Sequence, residues 1–211
     1  MAHKSGDFSN SVSNSEASNF AAMMKKLISG RKLIVASNRG ALNFSEDSSG
    51  KLVARRDTSR SSELFEPLSD EPISWITGAV SAADRNAADT QADDLGIIRN
   101  DVLPDDWNVR FVSLPRRVHH KFYNVICNPL LWFLLHRSWS PTFTPNIGKQ
   151  EHDALERGYR VVNQSFADRI SDSADGSQIA LICRDYQLML VPGMVRKRHP
   201  DSLIHFSFET P

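Results

Sequence analysis

The sequence predicts an α/β fold, a doubly wound domain around a mostly parallel sheet. Three observations predict it. Short apolar runs of strand length recur along the chain and alternate with longer amphipathic or polar stretches. One of these runs, "IALIC" (Ile179–Cys183), is continuously apolar, as expected of a strand buried on both faces. It is followed by "YQLMLVPGMVRKRHPD" and then by "LIHFSF". That strand–helix–strand spacing gives a right-handed crossover between parallel strands.

The elements follow in order. "MAHKSGDFSNSVSNSEASN" is rich in serine and asparagine, has little to bury, and reads as disordered. "NFAAMMKKLISG" puts Phe20, Met23, Met24, Leu27 and Ile28 on one helical face, and Gly30 ends it. Residues 1–31 are therefore a tail plus a short amphipathic helix, and 32–211 form the domain. "KLIVASNRG" is a strand opening into a polar loop. "ALNFSEDSSGKLVARRD" is a hairpin about the turn signal "SEDSSG". "EPISWITGAV" and "VRFVSLP" are core strands, and "SAADRNAADTQADD" between them is a loop or a surface helix. "RRVHHKFYNVICNPLLWFLLHRSW" is aromatic-rich with helical spacing. "EHDALERGYRVVNQSFADRI" is an amphipathic helix whose stripe is Val162, Phe166 and Ile170, extended by Leu155 and Tyr159. "DSADGSQ" breaks it before "IALIC". The following helix is expected to be interrupted at Pro192-Gly193 and closed at His199-Pro200 before the strand "LIHFSF".

Composition narrows the function. The chain has 211 residues, and 25 Lys plus Arg balance 25 Asp plus Glu. A formal net charge of zero argues against a nucleic-acid surface or a polybasic membrane anchor as the main function. No apolar run approaches the ~20 residues needed to cross a bilayer, and no apolar signal core follows the N-terminus. A cytoplasmic location is expected. Cys127 and Cys183 lie far apart in apolar surroundings, as small core residues of a reducing compartment.

Four residues are candidates for chemistry. Asp185 stands at the carboxyl end of "IALIC", where open α/β sheets bind ligands; a plain helix-capping aspartate is the alternative. Arg39 lies in the loop after the first strand, at the same edge, and suits a phosphate or carboxylate; the alternative is a solvated arginine. Tyr123 and Trp132 offer rings with a polar handle, suited to sugars, although an aromatic stripe is more often core. The seven histidines are scattered, and neither a metal-ligand cluster nor a phosphate-binding glycine motif is present.

Taken in order and spacing, "LIVASNRG", "FYNVICNPLLWFLLH", "GYRVVNQSFAD" and "RDYQLMLVPGMVRKRHPD" resemble the N-terminal half of the trehalose-6-phosphate synthases. These are retaining glucosyltransferases of family 20 with the GT-B arrangement of two facing Rossmann-like domains. The resemblance runs from about Lys32 to the chain end. It implies a Rossmann-like acceptor-binding domain over 32–211, incomplete at its C-terminal end. It implies transfer of glucose from UDP-glucose or another nucleotide-glucose to glucose 6-phosphate, with no cofactor. By resemblance Arg39 and Tyr123 grip the phosphate of glucose 6-phosphate, Trp132 meets the acceptor sugar, and Asp185 contacts its hydroxyls.

The departures are specific. The family writes its opening loop S-N-R-x-P, and Ala41 stands at the proline. Its glycine-rich loop over the donor phosphates is replaced by "RRDTSRSSELFEPL", with Asp57, Ser59 and Arg60 at glycine positions. Side chains there obstruct the backbone approach to phosphate that glycine permits. Arg184 replaces the histidine before Asp185, and Glu209 stands at a second family histidine, so no residue is assigned a catalytic role. Two expectations result: a synthase-like domain inactive as this isolated chain, or a non-catalytic sugar-phosphate-binding or regulatory module that pairs with a full-length homologous synthase.

Overall fold

A computed structural model describes residues 14–57, 65–138 and 147–208. Five parallel strands form one sheet: β1 (Lys32–Ser37), β4 (Ile73–Gly78), β5 (Trp107–Val112), β6 (Ile179–Arg184) and β7 (Leu203–Ser207). Their order is β5-β4-β1-β6-β7. The chain begins at the centre, moves out through β4 and β5, and returns past β1 to β6 and β7. That is the doubly wound α/β fold, and its switch point lies between β1 and β6. Two further strands, β2 (Leu42–Glu46) and β3 (Leu52–Arg56), form a separate antiparallel hairpin. Asp47 shapes its turn by accepting from Ser49 N and Lys51 N, and Gly50 supplies the positive φ of 80°.

Both faces of the sheet are covered, which explains the continuous apolar runs. On one face Ile34, Ala36, Ile76, Leu181 and Cys183 pack beneath three helical segments. The first, α3, spans residues 116–135 and widens into π-type turns over His120–Trp132. The second, α4, spans 149–174 with a wide turn at Leu155–Tyr159. The third is α5 (Val191–Arg198). On the other face Leu33, Val35, Trp75, Trp107 and Ala180 meet the hairpin, α1 (Asn14–Ile28) and α2 (Ala82–Thr90). Trp75 packs edge-on against Phe65, with ring centroids 5.1 Å apart. Each buried large side chain of these layers contributes about 1.5–3 kcal/mol. Among the described residues no helix is long and apolar enough to cross a membrane.

The structure corrects four local expectations. α1 begins at Asn14, within the stretch expected to be disordered; residues 1–13 lie outside the described residues, as does the side chain of Phe20. Of its predicted apolar face, Ile28 is buried and Met24 packs against the core, but Met23 and Leu27 are exposed. On α4, Leu155 is exposed while Ala154 is buried. A wide turn inserts one residue into the 3.6 period, so the buried stripe shifts by one position. Finally, Pro192 does not interrupt a helix. The chain makes a 3-10 turn at Tyr186–Leu188, and α5 starts at Val191. Proline in a first helical turn forfeits no intrahelical bond. The segment "SAADRNAADT" resolves into α2, capped by Ser81, whose hydroxyl accepts from Asp84 N at 2.9 Å.

Candidate functional site

The carboxyl ends of β1, β4 and β6 carry polar residues on one edge of the sheet. After β1, the Ser37 hydroxyl donates to Arg39 O at 2.5 Å and turns the loop. Gly40 then lies against Thr77 at the end of β4. A Cβ on Gly40 would come within 2.7 Å of Thr77 Cβ, so this approach requires glycine. Gly78 is similarly close to the Asn38 backbone. Between the loops opens a cleft of about 310 Å³, within the size range of small-ligand sites. Arg39, Asn43, Asp57, Thr77, Ser81 and Asp84 are among its lining residues. Arg39 is exposed at its rim. Thr77 Oγ1 is buried and has no hydrogen-bond partner among the described residues, a cost that a bound hydroxyl or phosphate oxygen would relieve.

Among the described residues one cation, Arg39, and two carboxylates, Asp57 and Asp84, line this cleft. Asp84 is committed to structure. Its carboxylate accepts from Ser81 N and from Phe44 N, both at 2.8 Å, fastening the hairpin to α2. Asp57 also lines the cleft, and its charge reaches the buried Arg184 guanidinium. Burial lowers the Arg184 pKa, and the charges of Asp185 and Asp57 oppose that shift.

Asp185 follows β6 with φ 70° and ψ 162°, a conformation that L residues adopt at a cost of about 1–3 kcal/mol. Three hydrogen bonds hold it. Asp185 N donates to Ser207 O at 2.8 Å, Tyr186 N donates to the Asp185 carboxylate at 2.8 Å, and Leu188 N donates to Asp185 O at 3.1 Å. The next turn is pinned from α4. The Tyr159 hydroxyl donates to Tyr186 O at 2.6 Å and accepts from Met189 N at 3.2 Å. Asn163 donates to Gln187 O at 3.0 Å and accepts from Leu190 N at 3.1 Å. Sequence reasoning placed Tyr159 in an apolar stripe and gave Asn163 no role. Their spacing of four, a polar pair on a buried helix face, was the available signal.

Tyr123 is half-buried on α3, and its hydroxyl acts electrostatically on Tyr186, as does Asp185. Burial first, then Cys127, Asp185 and Tyr123, push the Tyr186 hydroxyl up to about 12. Tyr123 and Asp185 thus both act on Tyr186. Trp132 is not part of that group. It lies nine residues along α3, exposed, with one ring face stacked on His136 at 4.2 Å and an edge contact to Phe133. Neither Tyr123, Trp132 nor Asp185 lines the Arg39 cleft. Glu209, Ser59 and Arg60 lie outside the described residues. Both cysteines are buried thiols, with Cys183 pushed up to about 12 by burial, and so are unsuited to nucleophilic work. Among the described residues no group of three His, Cys, Asp or Glu side chains is placed to hold a metal ion.

Residues 31–211 match glycosyltransferase family 20. The UDP-forming alpha,alpha-trehalose-phosphate synthase 5 of Arabidopsis thaliana is 26% identical over 206 residues, covering 96% of this chain and 22% of that protein. The crystal structure of alpha,alpha-trehalose 6-phosphate synthase from Burkholderia multivorans superposes with a TM-score of 0.58 at 19% identity, over 83% of this chain and 32% of that one. The N-terminal domain of Candida albicans trehalose-6-phosphate phosphatase does so with a TM-score of 0.55 at 23% identity, over 84% and 33%. The chain thus spans about a fifth of the Arabidopsis relative and about a third of these structures.

Proposed function

This chain belongs to glycosyltransferase family 20, and on that premise we propose that its domain binds glucose 6-phosphate as the acceptor of a glucosyl transfer. In this reading Arg39 and Tyr123 grip the phosphate, Asp185 accepts hydrogen bonds from sugar hydroxyls, and Trp132 meets the sugar ring. The observation that carries it is the cleft beneath Arg39. It is opened by Gly40 and Gly78, lined by the orphaned Thr77 hydroxyl, and set between the carboxyl ends of β1 and β4, on the sheet edge that also carries Asp185 at the end of β6. The UDP-forming synthases among its relatives supply the reaction: a synthase that forms UDP takes its glucosyl group from UDP-glucose. In such a transfer an acceptor hydroxyl attacks the anomeric carbon, the bond to the diphosphate breaks, and the diphosphate leaves with its charge.

The cleft's own charge limits what this chain does with a donor. A leaving diphosphate needs cations around it, and among the described lining residues one arginine faces two carboxylates. The same balance favours a second reading, a non-catalytic sugar-phosphate-binding module that pairs with a full-length homologous synthase. The Candida phosphatase, with a domain of this fold at its N-terminus, supports a use of the domain outside synthesis.

Calorimetric titration with glucose 6-phosphate tests the acceptor site. The wild-type chain should bind, and Arg39→Ala should weaken binding about ten- to a hundredfold, the range for losing a charge-assisted bond. No binding, or binding indifferent to Arg39, rejects the reading. Incubation with UDP-glucose and glucose 6-phosphate should yield no trehalose 6-phosphate; turnover would reject the module reading.

A further inference from the structure

We propose that His119 is a positioning residue for this site: a neutral imidazole that fixes the Tyr123 ring and ties it to the loop bearing Arg39. The inference rests on the reading of Tyr123 and Arg39 given above. His119 and Tyr123 are one helical turn apart on α3, and their rings stack with centroids 5.7 Å apart and planes at 21°. Phe122 meets the imidazole edge-on at 6.2 Å. The stack therefore sets the direction in which the Tyr123 hydroxyl points.

His119 also faces a cavity of about 10 Å³, about the room one water needs. That cavity is shared with Asn38, the neighbour of Arg39, and with Gly78 on the floor of the cleft. His119 Nε2 is buried with no hydrogen-bond partner among the described residues. The side chain of Asn38 is the other polar side chain lining the cavity. A water between them would satisfy Nε2 and join α3 to the Arg39 loop.

Burial and the charge around the ring favour the neutral form. Arg85 of α2 is fixed nearby, donating to Ala79 O at 3.2 Å and Val80 O at 3.3 Å. His120 adjoins on the same helix. From α4 the cavity is lined by Val162 and Phe166, from the end of β5 by Val112 and Leu114, and no carboxylate lines it. Burial first, then Arg85 and His120, hold the His119 pKa below the usual imidazole value. The unfolded chain therefore takes up this proton first. The stability contributed by neutral His119 is present above about pH 6.5 and is lost as pH falls from there toward the lower folded value.

Two variants of the whole chain test this, His119→Phe and His119→Ala. Phenylalanine keeps the stack and cannot titrate; alanine loses both features. The chain has three tyrosines, so the Tyr123 ring signal is assigned in a carbon–proton NMR spectrum by its loss in Tyr123→Phe. In the wild type that signal should move as pH falls from 7.5 to 5, and in His119→Phe it should stay. The acid-side loss of urea stability should likewise shrink in His119→Phe. At pH 7.5 His119→Phe, which keeps the stack and loses the tie through Nε2, should bind glucose 6-phosphate about two- to fivefold more weakly than wild type, and His119→Ala, which loses both, about five- to tenfold or more. The ligand phosphate titrates near 6, so the quantity read at each pH is the ratio of wild type to His119→Phe. A Tyr123 signal indifferent to pH, or unchanged in His119→Ala, overturns the proposal. If wild type binds no glucose 6-phosphate, the acceptor reading fails, while the Tyr123 signal and the pH dependence of stability still decide the role of His119.

Discussion

Gly158→Ala should destabilise the domain by about 3 kcal/mol, at the upper end of the cost of overpacking. Propensity alone predicts the opposite. Alanine is better than glycine inside a helix by about 1 kcal/mol, and Gly158 sits within α4. What decides is its neighbour. A Cβ at 158 would lie 2.6 Å from Lys121 Cβ, 2.8 Å from Phe122 N and 2.9 Å from Lys121 C. Two of these are backbone atoms of α3, which cannot rotate away, so the two helices must part. Their crossing is also where Phe122 stacks on Tyr159 at 5.9 Å and where Lys121 pairs with Asp153. Parting them disturbs α3 beside His119 and Tyr123, so affinity for glucose 6-phosphate should fall together with stability. Urea titration gives the free energy, with the m value checked for an unchanged unfolding transition. A variant as stable as wild type, or more so, would mean that the close helix crossing is wrong.

The parts of the fold legible in the sequence are those fixed by local pattern. Strands buried on both faces write themselves as continuous apolar runs, so "LIVAS" and "IALIC" were identifiable as β1 and β6. The hairpin was legible because Asp47 and Gly50 perform turn chemistry that few other residues can. Legibility ends where the period changes. The wide turn at Leu155–Tyr159 depends on how α4 meets α3, so a 3.6-residue stripe put Leu155 in the core where Ala154 belongs. The candidate site divides in the same way. Arg39 and Asp185 were found because a doubly wound sheet puts every strand's carboxyl end on one edge. The positive φ of Asp185, the Gly40–Thr77 approach and the burial of His119 Nε2 involve partners distant in sequence, and no window of the chain records them. The functional roles came from the resemblance and not from residue type. By type alone Asp185 was equally a helix cap, and it does accept from Tyr186 N.

Asn163→Leu should cost about 1–3 kcal/mol, although it changes volume little and adds apolar surface to a position with no solvent exposure. The side chain makes three bonds: its amide donates to Tyr159 O at 2.9 Å and Gln187 O at 3.0 Å, and its oxygen accepts from Leu190 N at 3.1 Å. Leucine removes all three. It strands the Gln187 carbonyl and the Leu190 amide, each costing about 1–3 kcal/mol when left unsatisfied in a buried setting. Burial of the leucine side chain offsets roughly half of that. The damage should centre on the turn after β6. That turn holds Asp185 in its strained conformation, so once it loosens the aspartate relaxes to ordinary backbone angles and the acceptor site loses its hydroxyl contact. Hydrogen exchange should show the Leu190 amide losing protection first; continued protection with unchanged stability would show that the turn is held by something else. Tyr159→Phe removes the other half of the clamp, its bonds to Tyr186 O and Met189 N. Both side chains act on one short turn, so the double variant should cost less than the sum of the singles, with an interaction energy of about 0.5–3 kcal/mol. Strict additivity would mean that Tyr159 and Asn163 brace the turn independently.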